Sequence, residues 1–331
     1  MKKKSLNIGF FLIGLIMLVF LVWDFGFENI ASNVAKTGWW LLPITGIWLV
    51  IYIMNAAAWF VILGKVKGVN FKTLLQLTIS GFSINYITPV VGLAGEPYKV
   101  INIQKSIGIE RATSSIILYN MMHILSHFFF WITAIILITL SSFWDIVLTQ
   151  STYISMGIVF LVLCLMISVF YAWHKKGVVY SMLRFFGKFP FLKKMVENLY
   201  KKETTLTNIE DQIIDLYTNR RKSFYQALIL EYVARIVGAF EFYFIMQAIS
   251  VDIDLFSSIY ISAASSLIAN LFFFIPLQLG TREGSLWLVY DSLKFTPALG
   301  VFVSFVTRIR EFFWILIGLI LLRISSSTSK N

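Results

Sequence analysis

The sequence predicts an all-α polytopic membrane protein, with six full transmembrane helices and two Pro/Gly-broken re-entrant hairpins arranged as an inverted repeat. Three observations lead there. Hydrophobic residues make up 58% of the chain against 14% charged, too apolar for a soluble domain whose surface must face water. The apolar residues fall into runs long enough to cross a bilayer, and Lys and Arg gather in the short segments between them. Two of the runs are broken in the same way. Leu255–Tyr290 is interrupted at Pro276 and Gly280 and then presents Arg282 and Glu283; Leu74–Val100 carries Pro89, Gly92, Gly95 and Glu96. Both the prolines and the glutamates stand 187 residues apart (276 − 89 and 283 − 96). Paired broken segments in two halves point to a binding site between them.

Each further element follows in order. Met1–Lys4 is basic and Leu6–Trp23 is apolar, with no small-residue cleavage site before Asp24, so it reads as an uncleaved first span. Trp39–Leu63 is the second span, and the 187-residue offset maps it onto Gln226–Ser250. Ala112–Leu140 is the third and maps onto Leu299 and beyond; Thr152–Trp173 is the fourth. Gln226–Ile249 and Leu299–Leu322 complete the six, and the Ser-rich tail from Ser325 reads as disordered. The chain is thus one integral membrane domain over 1–331, with halves 1–140 and 152–322.

Between the halves, residues 174–223 hold eleven Lys or Arg. Leu192, Met195, Val196, Leu199, Leu206, Ile209, Ile213 and Leu216 recur there at helical spacing, which reads as a basic amphipathic connector on the cytoplasmic bilayer surface. Either a solvated, topology-setting loop or a binder of anionic headgroups fits that pattern. The charge pattern also selects the hairpin reading. Were both broken segments to cross the membrane, Lys65–Lys72 and the connector would face opposite sides, against the positive-inside rule. As hairpins, they leave Lys2–Lys4, Lys65–Lys72, Lys99–Arg111, the connector, Arg323 and Lys330 in the cytoplasm, with both termini, and place Asp145 and Asp252 outside.

Charged residues inside spans cost ~2.5 to 3.5 kcal/mol each at a helix centre, so Glu231, Arg235, Glu241, Arg308, Arg310 and Glu311 must face protein or a cavity. Glu231 and Arg235 are four apart, and Arg308 and Glu311 three apart, so each couple can pair along its own helix; Glu241 has no evident partner on its helix and could reach an Arg of the last span. His123 and His127 share a helical face, yet have no third ligand and no Glu between them, so interhelical hydrogen bonding is the expected role and no metal is expected. The single Cys164 lies within a span, and no P-loop, GxSxG or CxxC is present, so no cofactor is expected. The basic charge belongs to membrane topology, which argues against a nucleic-acid partner.

At the breaks the chain resembles the lysylphosphatidylglycerol synthase transmembrane, or flippase-like, family. PLQLGTRE at 276–283 is similar to the family's Pro, then Gly-x-Arg-Glu signature, and NYITPVVGLAGEPYK at 85–99 to its earlier Pro, Gly-Glu, basic motif. Glu231 and Arg308, with Gly318 ten residues on, stand where the family often has Glu and Arg. Where many members carry an acidic–basic pair after the first motif, this chain has Tyr119 and Asn120, with His123 nearby. No stretch of transferase-domain size accompanies the spans. The resemblance implies the handling of lipid headgroups in the cytoplasmic membrane.

Together these readings give a candidate binding set. Around the first break stand Asn85, Pro89, Gly92, Gly95, Glu96 and Lys99; on the preceding span of the second half, Glu231, Arg235 and Glu241; around the second break, Asn270, Pro276, Gly280, Arg282 and Glu283; on the last span, Arg308 and Arg310. Arg282, Lys99 and Arg308 would attract phosphate, and Glu96 and Glu283 would hold them or take an amine. The leading expectation is a lipid translocator for a phospholipid or polyprenyl-linked headgroup, anionic or zwitterionic. The alternatives are a membrane-embedded aminoacyl or glycosyl transferase using Glu231 or His123 as base, or an accessory subunit of a lipid-biosynthetic enzyme docking through 174–223.

Overall fold

The computed structural model describes residues 27–87, 94–141, 150–189, 193, 196–198, 200, 203–272, 278 and 280–328. The expected first span Leu6–Trp23, together with Pro89, Gly92, Asp145, Pro276 and Lys330, lies outside them. Every named element is a helix, as the sequence leads one to expect: α1 Phe27–Thr37, α2 Leu41–Leu63, α3 Phe71–Ile87, α4 Gly95–Ile107, α5 Ile109–Ser141, α6 Gln150–Lys176, α7 Val178–Phe186, α8 Glu203–Thr218, α9 Arg221–Ala248, α10 Leu255–Leu271, α11 Thr281–Ser292 and α12 Pro297–Thr328.

Helix ends are set by local chemistry. Asn70 caps α3 by accepting from the Thr73 amide at 2.9 Å, and Asp254 caps α10 through Ser257, whose amide and hydroxyl lie 2.8 and 2.7 Å away. Gly64 and Gly108 close α2 and α4 at φ 70° and 82°, which a side chain would resist. α12 continues to Thr328, so the Ser-rich segment expected to be disordered is helical as far as that residue.

Three helical stretches, Ala31–Leu63, Ile109–Leu140 and Tyr153–Phe170, are long and apolar enough to cross a membrane on composition alone. α9 and α12 have the length, 28 and 32 residues, but carry the six in-span charges. α6 shows what surrounds the bundle. It exposes Ile154, Ile158, Leu161 and Leu165, each more than half exposed, an apolar surface suited to lipid and not to water. α3, α4, α10 and α11 are shorter, at 17, 13, 17 and 12 residues. At about 1.5 Å per residue they reach roughly 18 to 26 Å, less than a ~30 Å hydrocarbon core.

The 187-residue offset extends to helix ends: moved by that distance, α5 would run 296–328, and α12 runs 297–328. Helices α2 and α9, whose ranges the offset relates, pack with opposite direction. Along α2 and α9, the ring of Trp40, just before α2, lies 6.0 Å from that of Phe244, Trp48 donates to Glu241, Ile51 touches the face of Gly238, and Val61 O accepts from Arg220. As residue number rises on one helix it falls on the other. α3 packs on α12, where Ser83 and Ser80 donate to the carbonyls of Trp314 and Gly318 at 3.2 and 3.3 Å. Its counterpart α10 packs on α5, where Trp131 donates to Ser266 at 2.9 Å. The helix before the first break thus packs on α12, and the helix before the second on α5. A methyl at Gly318 would run into Ser83, and a Cβ at Gly95 into the Gly81 carbonyl, so these glycines permit the close crossings that serve helix association inside lipid.

The connector differs from expectation. Leu206, Ile209, Ile213 and Leu216 of α8 are buried, as are Leu183 and Val196, because α8 packs against α5, α7 and α9 instead of laying that face on a bilayer. Leu192, Met195 and Leu199 fall outside the described residues. Polar bonds fix the packing. Gln212 accepts from Ser114 at 2.6 Å, Asn208 reaches Glu110 at 3.0 Å, and buried Glu210 accepts from the first amides of α7, Val179 and Tyr180, at 2.7 and 3.2 Å. Arg111 and Arg220 bond the Leu63 and Val61 carbonyls, so the basic segments gather at one end of the bundle.

Candidate functional site

At mid-height α2, α3, α5, α9, α10 and α12 surround a cavity of about 540 Å³, and the starts of α4 and α11 close in on it. Its size is that of a small-molecule or headgroup pocket. Of the expected set, Asn85, Glu96, Lys99, Arg235, Glu241, Asn270, Arg282 and Arg310 line it. Gly95, Glu231, Gly280, Glu283 and Arg308 are not among the residues that line it, while Pro89, Gly92 and Pro276 lie outside the described residues.

The first break supplies one cluster. The Gly95 amide donates to Asn85 Oδ1 at 2.6 Å, and Lys99 Nζ lies 3.1 Å from Glu96 Oε1 and 5.0 Å from the centre of the Tyr119 ring. Lys99 is almost wholly buried, a position a lysine keeps only with a carboxylate and an aromatic face to replace water. The second break supplies another. Glu283, in the first turn of α11, accepts from the Gly280 amide at 2.9 Å and from Ser304 at 2.8 Å. Gly280 takes φ 76° as the chain turns into that helix.

Charge partners cross between helices more than sequence spacing indicates. Arg308, fully buried, donates to Glu283 Oε1 through Nε and Nη2 at 2.8 and 2.7 Å, in place of the expected partner Glu311 on its own helix. Glu311 instead lies 2.6 Å from Arg282 and accepts a hydrogen bond from Tyr86. The two adjacent charges at the second break are thus partnered separately on α12. Glu241 finds the last span, as expected: Arg310 donates to its two oxygens at 2.8 and 3.0 Å, and Trp48 adds a third bond at 2.8 Å while its ring lies 3.7 Å under the guanidinium carbon. Opposite on α9, Arg235 is 3.7 Å from Glu231, a looser contact than a helix-bound pair implies. The closer partner of Glu231 is His123 Nδ1 at 2.7 Å, and Arg235 Nη2 rests 2.7 and 2.6 Å from the two ring nitrogens.

His123 and His127 therefore serve the wall of the cavity, their rings 5.3 Å apart, and among the described residues no group of three or more His, Cys, Asp or Glu is placed to hold a metal. Sequence reasoning passed over Trp48, Tyr86 and Gln278, whose side chains complete these clusters. The available signals were a tryptophan nine residues inside its span, where interfacial anchoring does not explain it, and a tyrosine inside the first motif.

The family description "Lysylphosphatidylglycerol synthase TM region" matches residues 7–318 of the 331-residue chain. No curated protein and no solved structure matches it. The match runs from before α1 into α12, including both broken segments and the charged pairs between α9, α11 and α12. On that coverage the chain belongs to the lysylphosphatidylglycerol synthase transmembrane-region family, a family of membrane domains.

Proposed function

We propose that this membrane protein is a flippase-like lipid translocator, passing a phospholipid or polyprenyl-linked headgroup through the central cavity. The observation that carries the reading is the cavity's wall: both halves contribute, and acid–base pairs line a space set at helix mid-height. Charged groups at that depth are costly unless they meet each other or a polar ligand. In this reading the halves 1–140 and 152–322 form an inverted repeat with six full spans, α3/α4 and α10/α11 being re-entrant hairpins from opposite faces. Their shortness, the antiparallel meeting of α2 with α9, and the exchange of α3 and α10 between closing helices all support it. The gathered basic segments would face the cytoplasm, with both termini. Lys99, Arg235, Arg282 and Arg310 offer donors to phosphate, and Glu96 and Glu311 acceptors to an amine.

The test is leaflet exchange of headgroup-labelled phospholipid in vesicles holding the purified full chain. Exchange well above protein-free vesicles is expected; a rate equal to theirs overturns the reading. The transferase reading draws on one feature, the cavity-facing His123 bonded to buried Glu231, which has the form of a general-base couple. Under it, lipid recovered from cells expressing the protein would carry a new headgroup, and His123→Gln would abolish that product.

A further inference from the structure

The 187-residue offset brings out an asymmetry in the cavity. It carries His123 onto Arg310 and Trp48 onto Arg235, so the couple Arg310–Trp48 corresponds to the couple His123–Arg235, each with a guanidinium against an aromatic ring. The same offset carries His127 onto Trp314. In the first couple both indole nitrogens and two of the three guanidinium nitrogens are met by protein, while Arg310 Nη1 is buried without a hydrogen-bond partner. Trp48 donates to Glu241 at 2.8 Å, Trp314 donates to the Thr45 carbonyl at 3.2 Å, and Arg310 forks onto Glu241 with Nη1 3.6 Å from Glu311. The positions that answer to the two bonded tryptophans differ: Arg235 Nε and His127 Nδ1 are buried with no hydrogen-bond partner.

Arg235 also differs from the other cavity cations. Lys99, Arg282 and Arg310 each have a carboxylate oxygen within 3.1 Å, whereas the nearest to Arg235 is 3.7 Å away. Its side chain is 21% exposed, against 3% for Arg310. Its Nη2 leans on His123, whose Nδ1 must carry the proton to donate to Glu231, leaving Nε2 as the acceptor. That is a weak hold for a guanidinium whose fork of donors matches a tetrahedral oxyanion.

We propose that Arg235 and His127 form a phosphoryl-binding subsite in the α5–α9 wall of the cavity. One oxygen pair takes the Arg235 fork, Nη2 leaving the imidazole to do so, and His127 donates to a further oxygen from the next turn of α5. His123 and Glu231 remain bonded behind them and fix the position of the guanidinium. The proposal rests on the translocator reading, since it needs a headgroup to enter the cavity.

The test is affinity, measured by thermophoresis of the full chain in lipid-depleted detergent. Dihexanoyl phosphatidylglycerol, inorganic phosphate and phosphate-free dihexanoylglycerol are the probes. Arg235→Gln is expected to weaken the phospholipid tenfold or more and to leave the phosphate-free lipid unchanged. Arg235→Lys keeps a cation beside Glu231 if the glutamine variant does not fold, and loses affinity through the missing fork; His127→Phe loses several-fold. Unchanged phospholipid affinity in Arg235→Lys and His127→Phe overturns the subsite. Competition by inorganic phosphate at equal concentration assigns free phosphate as the ligand, and absence of competition assigns the lipid. Leaflet exchange separates this from the wider reading: exchange by a wild type whose binding ignores Arg235 sinks the subsite alone, and Arg235-dependent binding without exchange sinks the translocator alone.

Discussion

Glu283 in the first turn of α11 receives two hydrogen bonds from Arg308 of α12, and Arg308 has no exposure to solvent or cavity. A cation so placed depends on its carboxylate, because burial denies it water. Glu283→Gln is therefore expected to destabilise the protein by ~3 to 5 kcal/mol, the cost of breaking a buried pair from one side. Adding Arg308→Gln should recover much of the loss. Thermal unfolding in detergent checks it, and a double variant no more stable than the single one would refute a structural role for the pair.

That pairing marks where the sequence stops being legible. Lengths, the Pro/Gly breaks and the 187-residue offset were readable because they depend on neighbours along the chain and on the bilayer's thickness. Partner choice was not. Arg308 is three residues from Glu311, a spacing that favours pairing on one helix, yet the crossing of α11 brings Glu283 closer and leaves Glu311 to Arg282. Glu241 was readable as able to reach an Arg of the last span, but that this is Arg310 and not Arg308 shows only in the packing of α9 against α12. α8 escaped for a similar reason: its apolar face looks the same whether lipid or α5 covers it.

The crossing of α3 and α12 makes a second prediction. Gly318 has no room for a Cβ against Ser83, while Gly46 on α2 has nothing within 4 Å of one. Gly318→Ala should lower the folded yield and melting temperature, since backbone must move apart and the Ser80 and Ser83 bonds lengthen. Gly46→Ala should leave both unchanged or slightly improved, alanine being the better helix former. Size-exclusion profiles of the two variants distinguish these outcomes.

A third concerns the connector. Gly177 begins α7 without a side chain to cap it, and Glu210 from α8 supplies the acceptor instead, a carboxylate at the positive end of a helix. Glu210→Ala should cost about 0.5 to 2 kcal/mol locally, the range for a lost cap. Faster hydrogen exchange at Val179 and Tyr180, with α9 unaffected, is the expected signature; unchanged exchange there would mean that α7 is held by its apolar contacts alone.

The last prediction tests the topology on which the translocator reading depends. Lys65 follows α2 near the end where Arg220 and Arg111 bond its last carbonyls, and Asp252 lies between α9 and α10 at the opposite end, beyond the Trp40–Phe244 contact. Because α2 and α9 run antiparallel, the end of one cannot share a side with the end of the other if both cross the bilayer. Single cysteines placed at Lys65 and Asp252 in a Cys164→Ala background should therefore label from opposite sides, Lys65 from the cytoplasm and Asp252 from outside. A third cysteine at Lys105, in the last turn of α4, should label with Lys65, because a hairpin returns the chain to the face it left. Labelling of Lys105 with Asp252 would mean that α3 and α4 together cross the membrane, and the inverted arrangement of the halves would fall with it.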